Sequence, residues 1–107
     1  MKLLAKTDYD KVEELLRVYC LNAVATWEEP YKKAIDEIIE FFNVPVYNKF
    51  LELFYFRRNE YKNRYPDNRS MFNYLCQLLY VQEPTLYMMR KEIIYKSAMI
   101  FYKYNLI

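Results

Sequence analysis

Glycine, the residue that most readily adopts a positive φ angle, is absent from all 107 residues of the chain. Tight β-hairpin turns depend on glycine or asparagine at such positions, so the missing glycine disfavours a protein built from hairpins. Apolar residues recur instead at helical intervals of three and four. The sequence therefore predicts an all-α fold of about five helices, in a single domain over residues 1–107.

The composition allows a closed core and disfavours a membrane protein. Hydrophobic residues make up 54% of the chain, and a chain of this length buries roughly two-thirds of its unfolded surface. No apolar run reaches the about 18 residues that cross a bilayer. Cys20 and Cys76 lack metal or redox spacing, which is typical of buried, reduced cysteines. We expect a cytoplasmic protein that makes no membrane contact.

Prolines and capping residues place the helix boundaries. Asp10, Thr26 and Ser70 are suited to precede helices as caps, and the loop "YPDNRS" separates the third helix from the fourth. The predicted helices run from Asp8 or Asp10 to Val24, from Thr26–Glu29 to Asn43, from Pro45 to the basic tract near Tyr61, from Ser70–Met71 to Tyr80, and from Glu83–Pro84 to Tyr104.

The fourth and fifth predicted helices meet at a tight corner. A helix-turn-helix needs apolar residues facing inward on both helices and in the turn, and a small residue where the helices touch. The matching residues are Leu75, Cys76, Leu79, Val81, Leu86 and Met89. Tyr80 stands where this motif often has glycine. The pattern predicts a helix-turn-helix over residues 70–91, but a plain corner between two core helices would show the same pattern, so both interpretations stay open.

The stretch "VQEPTLYMMRKEIIYKSAMIFYKY" resembles the end of phage late-transcription activators of the RinA and ArpU type. It is also similar to the second half of the sigma-factor domain that reads the −35 promoter element. The residues that carry this resemblance are Leu79, Val81, Thr85, Tyr87, Arg90 and Lys91. The resemblance covers residues 46–107 and leaves residues 1–45 as an N-terminal helical extension. It implies a DNA-binding transcriptional regulator of a phage or mobile element.

In such a regulator the second helix of the motif, starting near Glu83, enters the major groove. Its outward side chains are the candidate base contacts. Gln82 could form hydrogen bonds with adenine, Glu83 could accept one from the amino group of cytosine, and Lys91 could donate one to guanine. Tyr87 and Met88 could contact the methyl group of thymine.

Phosphate contacts are predicted from the uneven charge of the chain. Residues 1–55 hold 7 Lys and Arg against 10 Asp and Glu, whereas residues 56–107 hold 9 against 4. Basic side chains supply affinity for phosphates without sequence preference. The candidates are Arg57, Arg58, Lys62, Arg64, Arg69 and Arg90. The alternative for the Arg57–Arg69 cluster is a solvated helix end, where cations also suit the helix dipole.

Enzyme chemistry is disfavoured by the residues that are missing. The chain has no histidine to act as an imidazole base, and without glycine it has no Gly-rich phosphate loop. We therefore expect no catalytic residues, cofactor, metal ion or small-molecule substrate. The function predicted as an alternative to DNA binding is a small protein-interaction module, in which a phage protein uses the same corner to bind a host protein.

The sequence also suggests further partners. The acidic N-terminal half would contact RNA polymerase or another regulator. The fifth helix carries two apolar rows, one of Tyr87, Ile94, Ala98 and Phe101 and one of Leu86, Met89, Ile93, Ile100 and Tyr104. A helix that is apolar on two sides is buried on two sides. Either a second copy of the chain or the first two helices would cover the second side.

Overall fold

A computed structural model describes residues 5–18 and 28–107, and within these ranges it contains helices but no strand. The prediction of an all-α fold with five α-helices is confirmed. The helices are α1 (Lys6–Val18), α2 (Glu29–Phe41), α3 (Pro45–Phe50), α4 (Asn68–Leu79) and α5 (Glu83–Lys103). No helix in the described part of the chain is long and apolar enough to cross a membrane.

The starts of the first two helices differ from the sequence prediction. α1 begins at Lys6, so Asp10 lies inside the helix and does not cap it. The predicted end of this helix at Val24 lies outside the described residues, as do Cys20 and Thr26. α2 follows Glu28, whose backbone is extended and whose side chain makes no capping hydrogen bond. Glu28 is therefore the residue that directly precedes this helix.

The third predicted helix is divided into three parts. After α3, residues Leu51–Phe56 form a π-helical turn, and Arg58–Tyr61 form a separate 3₁₀ turn. A π turn holds more residues than an α-helical turn, so the angle between successive side chains around the helix axis is smaller. This allows the consecutive residues Leu53, Phe54 and Tyr55 all to be buried, where the narrower α-helix would spread them over more of its circumference.

Two residues share the cap of α4. The Asp67 carboxylate accepts a hydrogen bond from the Ser70 backbone N–H at 2.7 Å, and the Asp67 backbone N–H donates to the Ser70 hydroxyl at 3.3 Å. This is a capping box, in which Asp67 is the N-cap and Ser70 occupies the third helical position. The predicted loop over residues 65–70 is therefore shorter than expected, because α4 begins at Asn68, and the residue that caps the helix is Asp67 and not Ser70.

α5 is the central element of the core. It packs against α1, α2 and α4, and both predicted apolar rows point into the protein except at Tyr87, which is exposed. Their buried members are Leu86, Met89, Ile93, Ile94, Ala98, Ile100 and Phe101. The chain's own helices therefore cover these seven residues, which agrees with the alternative in which the first helices, and not a second copy, cover the second side. A third, outward face of α5 stays exposed.

Candidate nucleic-acid interface

The corner between α4 and α5 consists of Tyr80, Val81 and Gln82. Tyr80 has φ 56° and ψ 43°, in the left-handed region. The backbone N–H groups of Tyr80 and Val81 both donate to the carbonyl oxygen of Cys76, the latter at 3.2 Å. This closes α4 as a glycine would. A tyrosine in this conformation costs about 1–2 kcal/mol, so the missing glycine lowers the stability of the corner without changing its shape.

Apolar side chains lie beneath this corner. Leu75 and Leu86 are fully buried, and Met89 is nearly so. Leu79 and Val81 are half-buried against the same core. This burial fits the predicted helix-turn-helix and also fits a plain helical corner. The helix-turn-helix therefore stays a prediction.

The start of α5 faces solvent. Gln82, which precedes the helix, has an extended backbone (φ −88°, ψ 158°), and its side chain makes no capping hydrogen bond. Glu83 and Lys91 are exposed. Tyr87 and Met88 are exposed to 52% and 63%, although the Tyr87 ring also meets the edge of Phe72. All five candidate base contacts are thus accessible within about three helical turns.

Arg90 is partly buried and forms an ion pair with Glu13, which lies inside the protein. Its Nε and Nη2 atoms donate to the two Glu13 carboxylate oxygens at 2.9 and 2.8 Å. The Tyr55 hydroxyl donates to the same carboxylate at 2.7 Å. Burial raises the pKa of Glu13, but the hydrogen bonds from Arg90 and Tyr55 outweigh it and leave that pKa below its usual value. The donors of Arg90 thus serve the link between α1 and α5.

Arg57 also has carboxylate partners. Its Nη1 atom lies 2.6 Å from Glu52, and its Nε atom lies 2.5 Å from Glu60. Hydrogen bonds to Glu60 and Glu52 raise the pKa of Arg57. Two neighbouring carboxylates neutralise its charge and would repel a phosphate, so Arg57 is a weaker candidate than its neighbours.

Two of the remaining predicted phosphate contacts, Arg58 and Lys62, line a small cleft of about 320 Å³ that we call the basic cleft. Its lining side chains are Arg17, Arg58, Asn59, Lys62, Pro66, Asp67 and Asn68. Arg58 donates to Asn68 at 2.9 Å, and its guanidinium carbon lies 4.8 Å from the centre of the Phe54 ring. Burial, followed by the charges of Arg17 and Arg90, lowers the pKa of Arg58. The cleft therefore concentrates positive charge that the chain only partly neutralises.

Sequence reasoning missed Arg17 as a member of this cleft. Arg17 lies in the last turn of α1, where its Nη2 atom is 3.7 Å from Glu13. Only the packing of α1 against the π turn brings it beside Arg58. Beyond the cleft, Arg64 and Arg69 are exposed, which leaves their charges available to a ligand.

No protein-family model matches the sequence, and comparisons with curated proteins and with solved structures give no significant match either. The function must therefore be inferred from the residues described above.

Proposed function

We propose that the chain binds double-stranded DNA and regulates transcription, with the first turns of α5 in the major groove. The observation that supports this most directly is the exposure of Gln82, Glu83, Tyr87, Met88 and Lys91 above a firmly packed base. Reading a base edge requires side chains that are free to enter the groove and a helix held rigidly behind them. Leu86 and Met89 hold this helix through the core.

The exposed residues have complementary partners on base edges. Gln82 presents a carboxamide that pairs with adenine through two hydrogen bonds, and Lys91 donates to the acceptors of guanine. Glu83 accepts from the cytosine amino group, and the apolar parts of Tyr87 and Met88 meet the thymine methyl group. The expected target is a DNA site in which several of these bases present their major-groove edges to the start of α5.

Phosphate binding falls to the basic cleft and its surroundings. Arg17, Arg58 and Lys62 contribute three cations around one depression, and Arg64 and Arg69 add exposed charges nearby in sequence. A phosphate in the cleft would be attracted by these three cations against the single carboxylate of Asp67, which also accepts from the Ser70 backbone N–H. Arg90 and Arg57 are left out of the proposed contacts because Glu13, Glu52 and Glu60 occupy their donors.

The biological setting that the resemblance implies is a phage or mobile element, with the regulator acting in the cytoplasm. In this role the acidic N-terminal half would contact RNA polymerase or another regulator. The proposal of DNA binding does not depend on that contact, and neither does its test.

The test measures fluorescence anisotropy with double-stranded fragments from the neighbourhood of the chain's own gene, at two or more salt concentrations. The slope of log K against log salt is negative, and each lost phosphate contact makes it shallower by about 1. We expect the Lys62→Gln/Arg64→Gln/Arg69→Gln variant to bind more weakly than the natural chain, with a salt dependence that is shallower by about 3 in slope. A triple variant with unchanged affinity and slope would contradict the phosphate assignment.

The control variant removes two charges that lie at a distance from the candidate base contacts. Lys32 and Lys33 follow Tyr31, whose ring stacks on Phe101 with their centres 6.4 Å apart. Phe101 lies about 27 Å along α5 from Glu83, at about 1.5 Å per residue. The Lys32→Gln/Lys33→Gln variant should therefore keep the natural slope.

A second variant tests base reading separately from phosphate binding. Gln82→Ala should reduce the discrimination for adenine at one position by about 1–3 kcal/mol, while binding to unrelated DNA stays the same. A binding-site selection with the natural chain and the variant measures this directly. Identical site preferences for both proteins would remove Gln82 from the proposed interface.

A further inference from the structure

The outward face of α5 carries an apolar row that the core does not use. We call Met88, Tyr95, Met99 and Tyr102 the outward stripe; Met88, Met99 and Tyr102 are exposed to 63%, 59% and 72%, and Tyr95 is half-buried. Their spacing along the helix is seven, four and three residues, and Glu92 fills the position between the first two. This alternation of four and three is the spacing with which one helix packs along another.

A groove lies beside this stripe, between α5 and the end of α2. It has a volume of about 560 Å³ and is lined by Phe41, Phe42, Met88, Lys91, Glu92, Tyr95, Lys96 and Met99. Phe41 is a large aromatic residue with 57% of its surface exposed. An apolar groove beside an exposed helix is the surface that receives an amphipathic helix. Methionine side chains suit this role because they adapt to the shape of what they contact.

Lysines make the rim of the groove positive. Lys96 lies with its Nζ atom 4.3 Å from the centre of the Phe41 ring, and Lys91 is exposed beside Met88. Glu92 is the one carboxylate among the lining residues, and it already accepts a hydrogen bond from the Tyr47 hydroxyl at 2.5 Å. Glu40 precedes Phe41 but does not line the groove. The rim therefore favours an occupant with carboxylates along its edges.

A second copy of the chain would not provide those carboxylates. If two α5 helices paired antiparallel, with Met88 of one opposite Met99 of the other, Lys91 of each would face Lys96 of the other. In a parallel pair, each lysine would face its own equivalent. Like charges in facing positions oppose both arrangements.

We propose that the outward stripe and its groove bind an amphipathic α-helix of another protein, with apolar residues at intervals of three and four and with Glu or Asp on both flanks. The apolar row of the partner packs on Met88, Tyr95, Met99 and Tyr102. Its carboxylates meet Lys91 and Lys96. This inference does not rest on the proposed DNA binding, but Met88 and Lys91 belong to both surfaces, so DNA and the partner helix would compete for them.

The experiment selects peptides for the full chain from a displayed library of 18-residue helices. The library fixes apolar residues at intervals of three and four and leaves the flanking positions random. We expect Glu and Asp to be enriched at the flanks of the selected peptides. Titration of the best synthetic peptide should show binding about tenfold or more weaker for Met99→Asp, which places a carboxylate against the apolar row of the partner. Tyr80→Asp adds the same charge at a residue that is 95% exposed outside the groove, and it should leave peptide binding unchanged.

A charge-reversed variant makes the test independent of any single methionine. Lys91→Glu/Lys96→Glu should move the preferred flanks from acidic to basic. The proposal is overturned if no peptide is enriched, if the natural chain selects neutral or basic flanks, or if Met99→Asp and Tyr80→Asp weaken binding equally. A natural chain that sediments as a dimer, and that Met99→Asp turns into a monomer, would show that a second copy is the occupant and would overturn it as well.

Discussion

The interior of this molecule holds a charged pair, and part of its surface holds an apolar row. Glu13 is 4% exposed and meets Arg90 and Tyr55 in the core. Met88 and Met99 on the outward stripe are more than half exposed. Both regions involve α5, and both reverse the usual preference for apolar residues inside and charges outside. They differ in whether the chain itself supplies a partner.

The buried pair is satisfied within the chain and therefore contributes to the structure. Its hydrogen bonds tie α1, the π turn and α5 together at one point, and the Arg90 guanidinium carbon also lies 5.2 Å from the centre of the Phe54 ring. The outward stripe stays exposed to solvent, so the folded chain gains little by keeping apolar residues there. This contrast supports a structural role for the first region and a binding role for the second.

The largest effect is expected on breaking the buried pair. Glu13→Ala leaves the Arg90 charge half-buried without its carboxylate, which should lower the free energy of unfolding by about 3–5 kcal/mol. Urea unfolding followed by circular dichroism measures this loss. Glu13→Leu/Tyr55→Phe/Arg90→Met removes all three polar partners together and should be about as stable as the natural chain. If this triple variant were as unstable as Glu13→Ala, the loss would arise from packing and not from an unpaired charge.

Acid should weaken the same region. The pKa of Glu13 is lower in the folded chain than its usual value, so the carboxylate form stabilises the fold above the unfolded-state pKa. That stabilisation is lost as the pH falls through the lower, folded-state pKa. We expect the free energy of unfolding to decrease below about pH 4.3, the ordinary Glu value, and the decrease to be shallower in Glu13→Gln. Unfolding curves of both proteins at several pH values measure this difference; parallel decreases would assign the acid sensitivity to other carboxylates.

Local sequence signals such as proline predicted where the helices begin. Contacts between residues far apart in the sequence could not be predicted in this way. Pro45 and Pro84 mark the starts of α3 and α5 in the sequence and in the structure. The buried partners Glu13 and Arg90 are separated by 77 residues, and each resembles a surface charge on an amphipathic helix when the sequence is read alone. Arg90 was therefore predicted to contact phosphate. The groove at Phe41 was missed for the same reason, because it forms only where the end of α2 meets α5.

A smaller effect is expected at the corner, where an exposed residue carries backbone strain. Tyr80→Gly relieves the left-handed conformation of a residue that is 95% exposed and so loses almost no packing. The gain from relieving strain exceeds the added flexibility of the unfolded chain, and we expect a net stabilisation of about 0.5–1 kcal/mol. Thermal and urea unfolding measure it. A destabilised Tyr80→Gly variant would mean that the tyrosine ring supports the fold despite its exposure.

The smallest effect is expected on the outward stripe, where two adjacent methionines allow a matched comparison. Met88 is 63% exposed and Met89 is 4% exposed. Met89→Ala should cost about 2–5 kcal/mol because it opens a cavity in the core. Met88→Ala should change stability by about 0.5 kcal/mol or less, since it removes little buried surface and alanine favours helix. If Met88→Ala also cost more than about 1 kcal/mol in urea unfolding, part of the chain itself would cover the stripe, and the stripe would no longer be available to an acidic helix.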